Sequence, residues 1–452
     1  MINRKRRIKR TGWNALHMIA LGFAGIILLG SLLLSLPCAA QDGKGIGWFD
    51  ALFTSTSAVC VTGLVVVDTG TTFSLFGKIV LLCLIQVGGL GFMTFATMLF
   101  RLIGRHISLR ERMLIRESLN EEGVGGMVSL MGWVAKSAFT VEFIGAALLA
   151  MRFIPRLGVG KGIFYSIFHA VSAFCNAGFD LFGNYSSLTA YRGDVLVNFT
   201  IMGLIIIGGL GFGVLKNLHQ RRRGKYLYLH TRIVLAAYGA LFLFGTLFTL
   251  ASEWTNPETL ASLPFGEKLL AAMFQSVTLR TAGFNTINEA AIRPAGKLVG
   301  SLLMLTGAAP ASTGGGVKVT TMAVILLSVF STVRGRENIV AFKRGISHDT
   351  VRRALAVLLL GAGILLVDTV AISLMQPELE FMDILFECAS AMGTVGVSAF
   401  GSASLNTIAR IMIILTMYIG RIGPLTMALV LASRSGRSRA AMDYPEGHIM
   451  IG

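Results

Sequence analysis

Long apolar segments alternate with shorter, partly polar ones along the whole chain. Eight apolar runs exceed the roughly 20 residues that a helix needs to cross a bilayer, and they lie at 15–36, 73–100, 127–151, 194–216, 231–252, 296–330, 352–374 and 405–432. Within each successive pair of runs lies a stretch of only 11–14 residues, near 48–58, 162–174, 266–279 and 381–391. Such stretches are too short to span and indicate re-entrant helices. The pattern predicts an all-α polytopic membrane protein with eight transmembrane helices and four re-entrant ones.

The order span, short helix, span occurs four times and sets the predicted organisation. It comprises a basic cytoplasmic amino terminus at 1–14, repeat 1 at 15–100, repeat 2 at 127–216, repeat 3 at 231–330, repeat 4 at 352–432 and a cytoplasmic carboxyl terminus at 433–452. The second span of repeat 3 is expected to be broken at 307–316, because four glycines and a proline in ten residues cannot form a regular helix.

Composition agrees with a membrane protein. Hydrophobic residues make up 54% of the 452 positions and charged residues 14%, whereas soluble domains carry about 25% charged residues. The net charge of +17 comes from basic blocks between apolar runs rather than from one basic patch, so nucleic-acid binding is not expected. Of 40 Lys and Arg residues, 26 fall in 1–14, 101–117, 216–232, 334–353 and 434–439, which predicts that both termini lie in the cytoplasm.

The four short helices share a sequence pattern. Each has a phenylalanine, at 53, 168, 274 and 386, then a hydroxyl residue four positions later. A glycine follows ten positions after the phenylalanine, or nine in repeat 3, giving Gly63, Gly178, Gly283 and Gly396. The hydroxyl side chain could either tie the segment after the helix or pack within the helix. The pattern indicates fourfold duplication of one unit.

A repeated glycine after a re-entrant helix suits a cation filter. Backbone carbonyls can replace the water of a cation, and glycine adopts the backbone angles that aim successive carbonyls one way. The negative end of the helix dipole also favours a cation there. The predicted filter around a central pore comprises Val61, Thr62, Gly63, Asn176, Ala177, Gly178, Thr281, Ala282, Gly283, Thr394, Val395 and Gly396.

At this point the chain resembles the Trk/Ktr/HKT superfamily of potassium transporters over essentially its whole length. Thr394-Val395-Gly396-Val397-Ser398 is similar to the filter of potassium channels, and the other three segments match it only at glycine. The resemblance implies a transporter rather than an enzyme, with K⁺ at the filter residues. It implies potassium uptake across the bacterial inner (plasma) membrane, driven by the membrane potential.

Two features resemble the Ktr branch, whose membrane subunit is called KtrB. One is the predicted break, Gly307, Ala308, Ala309, Pro310, Ala311, Ser312, Thr313, Gly314, Gly315 and Gly316, followed by Lys318. The other is Arg421 within the last span, with the carboxyl-terminal segment 444–452. In the family the broken segment is a gate below the filter, and the arginine faces the pore beside it. Without the family, Arg421 could instead be a structural partner of Asp368 or Glu142.

The resemblance also implies partners. It implies a homodimer in the lipid bilayer on a cytosolic ring of nucleotide-binding regulatory subunits of the KtrA type, often with sodium stimulation. No cofactor is expected in this chain, since its five cysteines and seven histidines show no metal-ligand spacing. Gly88-Gly-Leu-Gly91 lies inside an apolar span, where helix packing is the better interpretation than a phosphate loop.

Some alternatives stay open in the sequence. Asp68 and Asp180 follow filters 1 and 2 and could concentrate cations or merely solvate loops. A secondary transporter of an organic solute can also use repeats and broken helices, but it favours two inverted halves. An intramembrane enzyme needs a paired nucleophile and base. The nearest candidate, His169, has no evident partner in the sequence.

Overall fold

The computed structural model describes residues 15–91, 127–221, 226–336 and 338–432. The two predicted cytoplasmic termini, the basic segment 101–117 and the end of the run 73–100 lie outside the described residues. The described chain is helical apart from its loops and one small hairpin, and it shows the predicted repeats.

The first span of each repeat is one long apolar helix. These helices are Ala15–Ser35, Met127–Leu157, Leu229–Glu253 and His348–Met375, and all four are long and apolar enough to cross a membrane. Each is followed by the predicted short helix: Trp48–Cys60, Val159–Phe174, Phe265–Thr278 and Phe381–Gly393. The phenylalanine of each short helix is fully buried, at 0–1% exposure. This anchors the short helices in the core, and we call them pore helices below.

The second spans of repeats 2, 3 and 4 are broken, and the sequence predicted a break for repeat 3 only. They consist of Leu75–Leu90, of Val195–Gly209 with Phe212–Arg221, of Pro294–Leu305 with Val319–Val333, and of Thr407–Ile422 with Pro424–Ala432. The pairs in repeats 2 and 4 bend by 98° and 99°. The sequence predicts spans at 194–216 and 405–432 but gives no sign of these bends. The cause is glycine with positive φ, Gly211 at 88° and Gly423 at 100°, and Gly91 ends its helix in the same way at 78°.

Three residues before each of these glycines lies another, which packs against a pore helix. A Cβ on Gly88, Gly208 or Gly420 would overlap a backbone carbonyl oxygen, that of Val59, Phe174 or Met392 respectively. Each of these carbonyls belongs to the last turns of the pore helix in the same repeat. The interpretation of Gly88 as a packing residue thus agrees with the structure. The second spans thereby support the carboxyl ends of the pore helices.

Ion pairs between repeats lie where the pore helices begin. Three pore helices carry an acidic residue in the first turn, where the helix dipole favours it. Each pairs with a base of a neighbouring repeat: Glu267 with Arg192 at 3.7 Å, Asp383 with Lys297 at 2.5 Å, and Asp50 with Arg410 at 3.1 Å. Repeats 1 and 2 are joined instead by Asp68, whose Oδ2 accepts from Tyr185 N–H at 2.9 Å. The four repeats therefore close into a ring.

A β-hairpin joins repeats 3 and 4 within the segment predicted as a basic loop. Ile339–Ala341 pairs antiparallel with Arg344–Ile346. The two turn residues, Phe342 and Lys343, have φ of 49° and 63°, as a type I′ turn requires. The sequence lacks the Asn-Gly or Asp-Gly that normally signals this turn, so the hairpin could not be predicted.

Candidate ion pathway

Each filter segment follows its pore helix with alternating backbone handedness. The first residues, Val61, Asn176, Thr281 and Thr394, have φ between 51° and 67°. The glycines two positions later have φ between 70° and 100°, whereas the single residue between these two positions has a negative φ in every segment. Left-handed angles are uncommon for residues with a Cβ. Their recurrence at one position in four segments shows that the four repeats share this backbone conformation.

The four glycines meet one another in a ring. A Cβ on Gly63 would lie 2.5 Å from the carbonyl oxygen of Ala177, one on Gly178 2.7 Å from that of Ala282, and one on Gly283 2.7 Å from that of Val395. A Cβ on Gly396 would lie closer still to the carbonyl oxygen of Thr62. Each glycine thus faces the carbonyl that precedes the glycine of the next repeat. Four segments of the chain bring their backbones together here, and no side chain fits between them.

The hydroxyl at the fourth position after each phenylalanine ties the filter in every repeat. In repeats 1 and 4 it accepts from the filter glycine: Gly63 N–H donates to Ser57 Oγ at 3.0 Å and Gly396 N–H to Ser390 Oγ at 2.9 Å. In repeats 2 and 3 it donates to the carbonyl after the glycine, from Ser172 to Phe179 at 2.8 Å and from Thr278 to Phe284. Of the two open interpretations, the tie agrees with these contacts.

The segment 307–316 lies directly below the filter. Asn176 links the two layers, because its Nδ2 donates to Thr281 Oγ1 at 2.9 Å and its Oδ1 accepts from Thr313 Oγ1 at 3.1 Å. In repeat 4 the N–H of Gly315 donates to Thr394 Oγ1 at 3.0 Å. The first residues of filters 2 and 4 therefore hydrogen-bond to this segment through their side chains, and the first residue of filter 3 bonds to Asn176. Sequence reasoning gave Asn176 a backbone role only.

The same segment fills the gaps left by the broken second spans. Its N–H groups donate to carbonyls at the breaks, from Ala309 to Gly209 at 3.0 Å, from Thr313 to Gly208 at 3.3 Å and from Gly316 to Gly420 at 3.1 Å. Phe212 N–H donates in return to Ala311 O at 2.9 Å. Backbone freed at the kinks thus pairs with backbone of the segment, which satisfies polar groups within the membrane.

Lys318 and Arg421 bind backbone carbonyls around this segment. Lys318 Nζ donates to Gly314 O at 2.7 Å. Arg421 donates to Thr313 O on one side and to Gly88 O on the other, with Gly89 O at 3.3 Å. The carboxylates considered as its partners are engaged elsewhere, Glu142 with Gln86 at 2.9 Å and Asp368 with Thr416. Arg421 therefore joins the end of one second span to the segment below the filter.

Two cavities lie on opposite sides of this arrangement. The outer one, of about 400 Å³, is lined by all four filter glycines together with Asp68, Asp180 and Glu289. The inner one, of about 420 Å³, is lined by 310–312, Lys318 and Arg421 among others. The filter and the segment 307–316 separate the two.

The carboxyl groups of the outer cavity differ in charge. Burial raises the pKa of Asp180 to about 6, a rise that the N–H of Phe182 limits by hydrogen bonding. Burial raises the pKa of Glu289 to about 8, partly opposed by its bond from Gln275. At neutral pH Asp180 is therefore mostly ionised and Glu289 mostly protonated, so Asp180 contributes negative charge near the filter. Asp68 caps the helix Thr69–Thr72 through the N–H groups of Gly70 and Thr71.

His169, the residue considered as a candidate for an intramembrane enzyme, hydrogen-bonds to two backbone groups. Its Nδ1 lies 2.7 Å from the carbonyl oxygen of Tyr165, and its Nε2 accepts from the N–H of Leu181 at 3.4 Å. The ring is buried in pore helix 2 among aromatic side chains. Within the described residues, no group of three or more His, Cys, Asp or Glu side chains could hold a metal ion.

The chain is similar to known proteins both in sequence and in fold. A family model described as TrkH, cation transport protein, matches residues 27–439. The chain is 40% identical over 451 residues to Ktr system potassium uptake protein B of Bacillus subtilis (strain 168), covering 100% of both chains. It is 40% identical over 438 residues to the protein of the same name from Vibrio alginolyticus, covering 96% of this chain and 94% of the relative.

A third relative and a solved structure extend the comparison. Potassium/sodium uptake protein NtpJ of Enterococcus hirae is 38% identical over 451 residues, with 99% of each chain covered. The crystal structure of the potassium transporter TrkH from Vibrio parahaemolyticus superposes with a TM-score of 0.70 at 18% identity, over 96% of this chain and 88% of that one. At that identity the likeness concerns the fold alone.

These comparisons agree with the resemblance found in the sequence. The matched family consists of integral membrane transporters rather than enzymes. The chain therefore belongs to the TrkH family of cation transport proteins, within which it is similar to the Ktr B subunits.

Proposed function

We propose that the chain takes up potassium across the bacterial plasma membrane through the four filter segments. The observation that carries the proposal is the ring in which each filter glycine faces the carbonyl of the next repeat. Such a ring can replace the water around a cation with neutral oxygens. Three relatives are named for potassium uptake, one of them also for sodium. An organic solute is disfavoured, because the backbones of the four repeats leave no space between them for a large molecule.

The segment 307–316 acts as the gate, with Lys318 and Arg421 holding it closed. This is supported by its position between two cavities and by the bonds of both side chains to its carbonyls. The positive charge of Arg421 beside the path also repels a cation. Opening requires the segment to leave the carbonyls at the breaks of the second spans, so movement of those spans would control it.

The membrane potential drives uptake, at about 2.3 kcal/mol per unit charge per 100 mV. With both termini in the cytoplasm, the outer cavity faces outward and Asp180 lies on the side from which K⁺ enters. Sodium stimulates the transport, and the chain forms a homodimer on a cytosolic ring of KtrA-type regulatory subunits. Support for a partner subunit comes from the relatives, whose names describe one component of a Ktr system.

Replacing a filter glycine should impair ion preference. In Gly283→Ser the new Cβ would meet Val395 O at 2.7 Å and disfavour the φ of 81°. We expect the preference for K⁺ over Na⁺ to fall about tenfold, which corresponds to about 1.4 kcal/mol. The measurement is Rb⁺ uptake under Na⁺ competition in potassium-transport-deficient cells. Gly203→Ser, in open space on a second span, is the matched control. Equal preference in both variants at equal expression would contradict the filter.

Loosening the gate should increase flux. Arg421→Ala removes charged hydrogen bonds to two elements, each worth about 1.5–3 kcal/mol, so we expect uptake without regulatory subunits to rise about tenfold or more. Deletion of 309–314 should leave a leaky pathway. Both variants are reconstituted into proteoliposomes and their ion flux is measured, and size-exclusion chromatography verifies that they are folded. Wild-type flux through a correctly folded deletion variant would rule out this gate.

External acidity should slow uptake through Asp180. Since its pKa is about 6, its carboxylate is charged at pH 7.5 and mostly neutral at pH 5. The initial rate at low potassium should therefore fall severalfold over this range. Asp180→Asn should start lower at pH 7.5 and show a flatter profile. A wild-type profile in Asp180→Asn would favour the alternative that Asp180 only solvates its loop.

A further inference from the structure

Each pore helix carries a buried polar side chain directly after its phenylalanine. These residues are Thr54, His169, Gln275 and Glu387, with exposures of 0–2%. Burying a polar group costs free energy unless it is hydrogen-bonded. An apolar residue at this position would pack at lower cost, so the polar choice calls for a reason in the contacts that these residues make.

In repeats 3 and 4 this residue bonds the same point beyond the filter. Gln275 Nε2 donates to Glu289 Oε2 at 2.9 Å, and Ser402 Oγ donates to Glu387 Oε1. Glu289 and Ser402 each lie six residues after the filter glycine, and each begins a short 3₁₀ helix, Glu289–Ala291 and Ser402–Ser404. The two bonds are therefore equivalent under the fourfold duplication. We call them the outer ties.

The carboxyl group lies on opposite sides of the two outer ties. In repeat 3 the carboxyl belongs to the segment after the filter, and in repeat 4 it belongs to the pore helix. All four side chains are at most 4% exposed. The second carboxyl oxygen, Glu289 Oε1 or Glu387 Oε2, has no hydrogen-bond partner among the described residues. In both ties a side-chain hydrogen bond of the carboxyl spans from the pore helix to the outer segment, and Glu387 also interacts with the hydroxyl of Ser398.

The other two repeats differ. Thr54 donates to Asp50 O within its own helix. His169 accepts from Leu181, three residues after the filter glycine rather than six. Filters 3 and 4 are thus each held twice, first by the hydroxyl of Thr278 or Ser390 beside the glycine and again by an outer tie. Glu289 and Ser402 also line the outer cavity together with the filter glycines.

We propose that the outer ties are positioning elements that set ion preference by fixing the outer ends of filters 3 and 4. This inference rests on the proposed function. A carbonyl ring discriminates ions only while its oxygens keep their number and spacing. The segment after each filter glycine belongs to no helix or sheet, so individual hydrogen bonds hold it, and in repeat 3 these include bonds of Asn285 to Ser187 and Leu188. With the ties broken, the ring can contract around the smaller Na⁺, and preference for K⁺ falls while conduction persists.

The test compares variants that break a tie with variants that keep it. Ser402→Ala removes the donor in repeat 4, and the double variant Gln275→Leu/Glu289→Leu removes both groups in repeat 3 without leaving a buried carboxyl unpaired. Glu387→Gln keeps an oxygen that can accept from Ser402. The exchange Gln275→Glu/Glu289→Gln rebuilds the repeat 3 tie with its carboxyl on the pore helix, as repeat 4 has it.

The readout is the Na⁺ concentration that halves Rb⁺ uptake into proteoliposomes, with thermal unfolding measured beside it. We expect about tenfold less Na⁺ to halve Rb⁺ uptake by the tie-breaking variants. The two tie-keeping variants should need as much Na⁺ as the wild type. Tie-breaking variants with lowered melting temperature but wild-type Na⁺ sensitivity would overturn the proposal, since the ties would then be merely structural. If a tie-breaking variant does not fold, tie-keeping variants with altered Na⁺ sensitivity would overturn it equally. Failure of the wild type to carry Rb⁺ would instead reject the proposed function itself.

Discussion

A cation that crosses a membrane needs oxygen atoms in place of its water, and this need constrains the whole chain. Four backbone segments approach so closely that a Cβ on Gly178 or Gly283 would lie 2.7 Å from a neighbouring carbonyl oxygen. Such proximity requires glycine at that point in every repeat. It also requires that each segment be held from behind, because the segment itself is part of no sheet or helix. The pore helices and their hydroxyl side chains supply that support.

The broken second spans follow from the same geometry. Gly88, Gly208 and Gly420 bring those spans against the ends of the pore helices, and a glycine with positive φ three residues later ends each helix. The turn exposes backbone carbonyls at membrane depth, and the segment 307–316 and Arg421 pair with them. The same glycines, Gly88, Gly208 and Gly420, therefore pack against the pore helices and, through their carbonyls, bond to Arg421 or to the segment 307–316. Movement of a second span would therefore act directly on the segment that we propose as the gate.

The sequence predicts those structural features that are determined by residues close together in the chain. A phenylalanine, a hydroxyl and a glycine at fixed spacing predict the pore helices and the filter position, because all three lie within eleven residues. The kinks at Gly211 and Gly423 were missed, since their apolar flanks hide a change of direction that only the φ of a glycine reveals. The partners of Arg421 and the bond between Gln275 and Glu289 depend on how distant segments meet. No pattern in one sequence encodes those contacts.

The most direct measurement of the central claim is the position of the ion itself. Crystals grown in Rb⁺ and measured at its absorption edge would give an anomalous difference map. The account predicts a peak on the axis enclosed by the carbonyls of Thr62, Ala177, Ala282 and Val395, weakened when Na⁺ replaces Rb⁺. A map from well-ordered crystals with no peak there, or with Rb⁺ bound elsewhere in the membrane region, would contradict the four-segment filter.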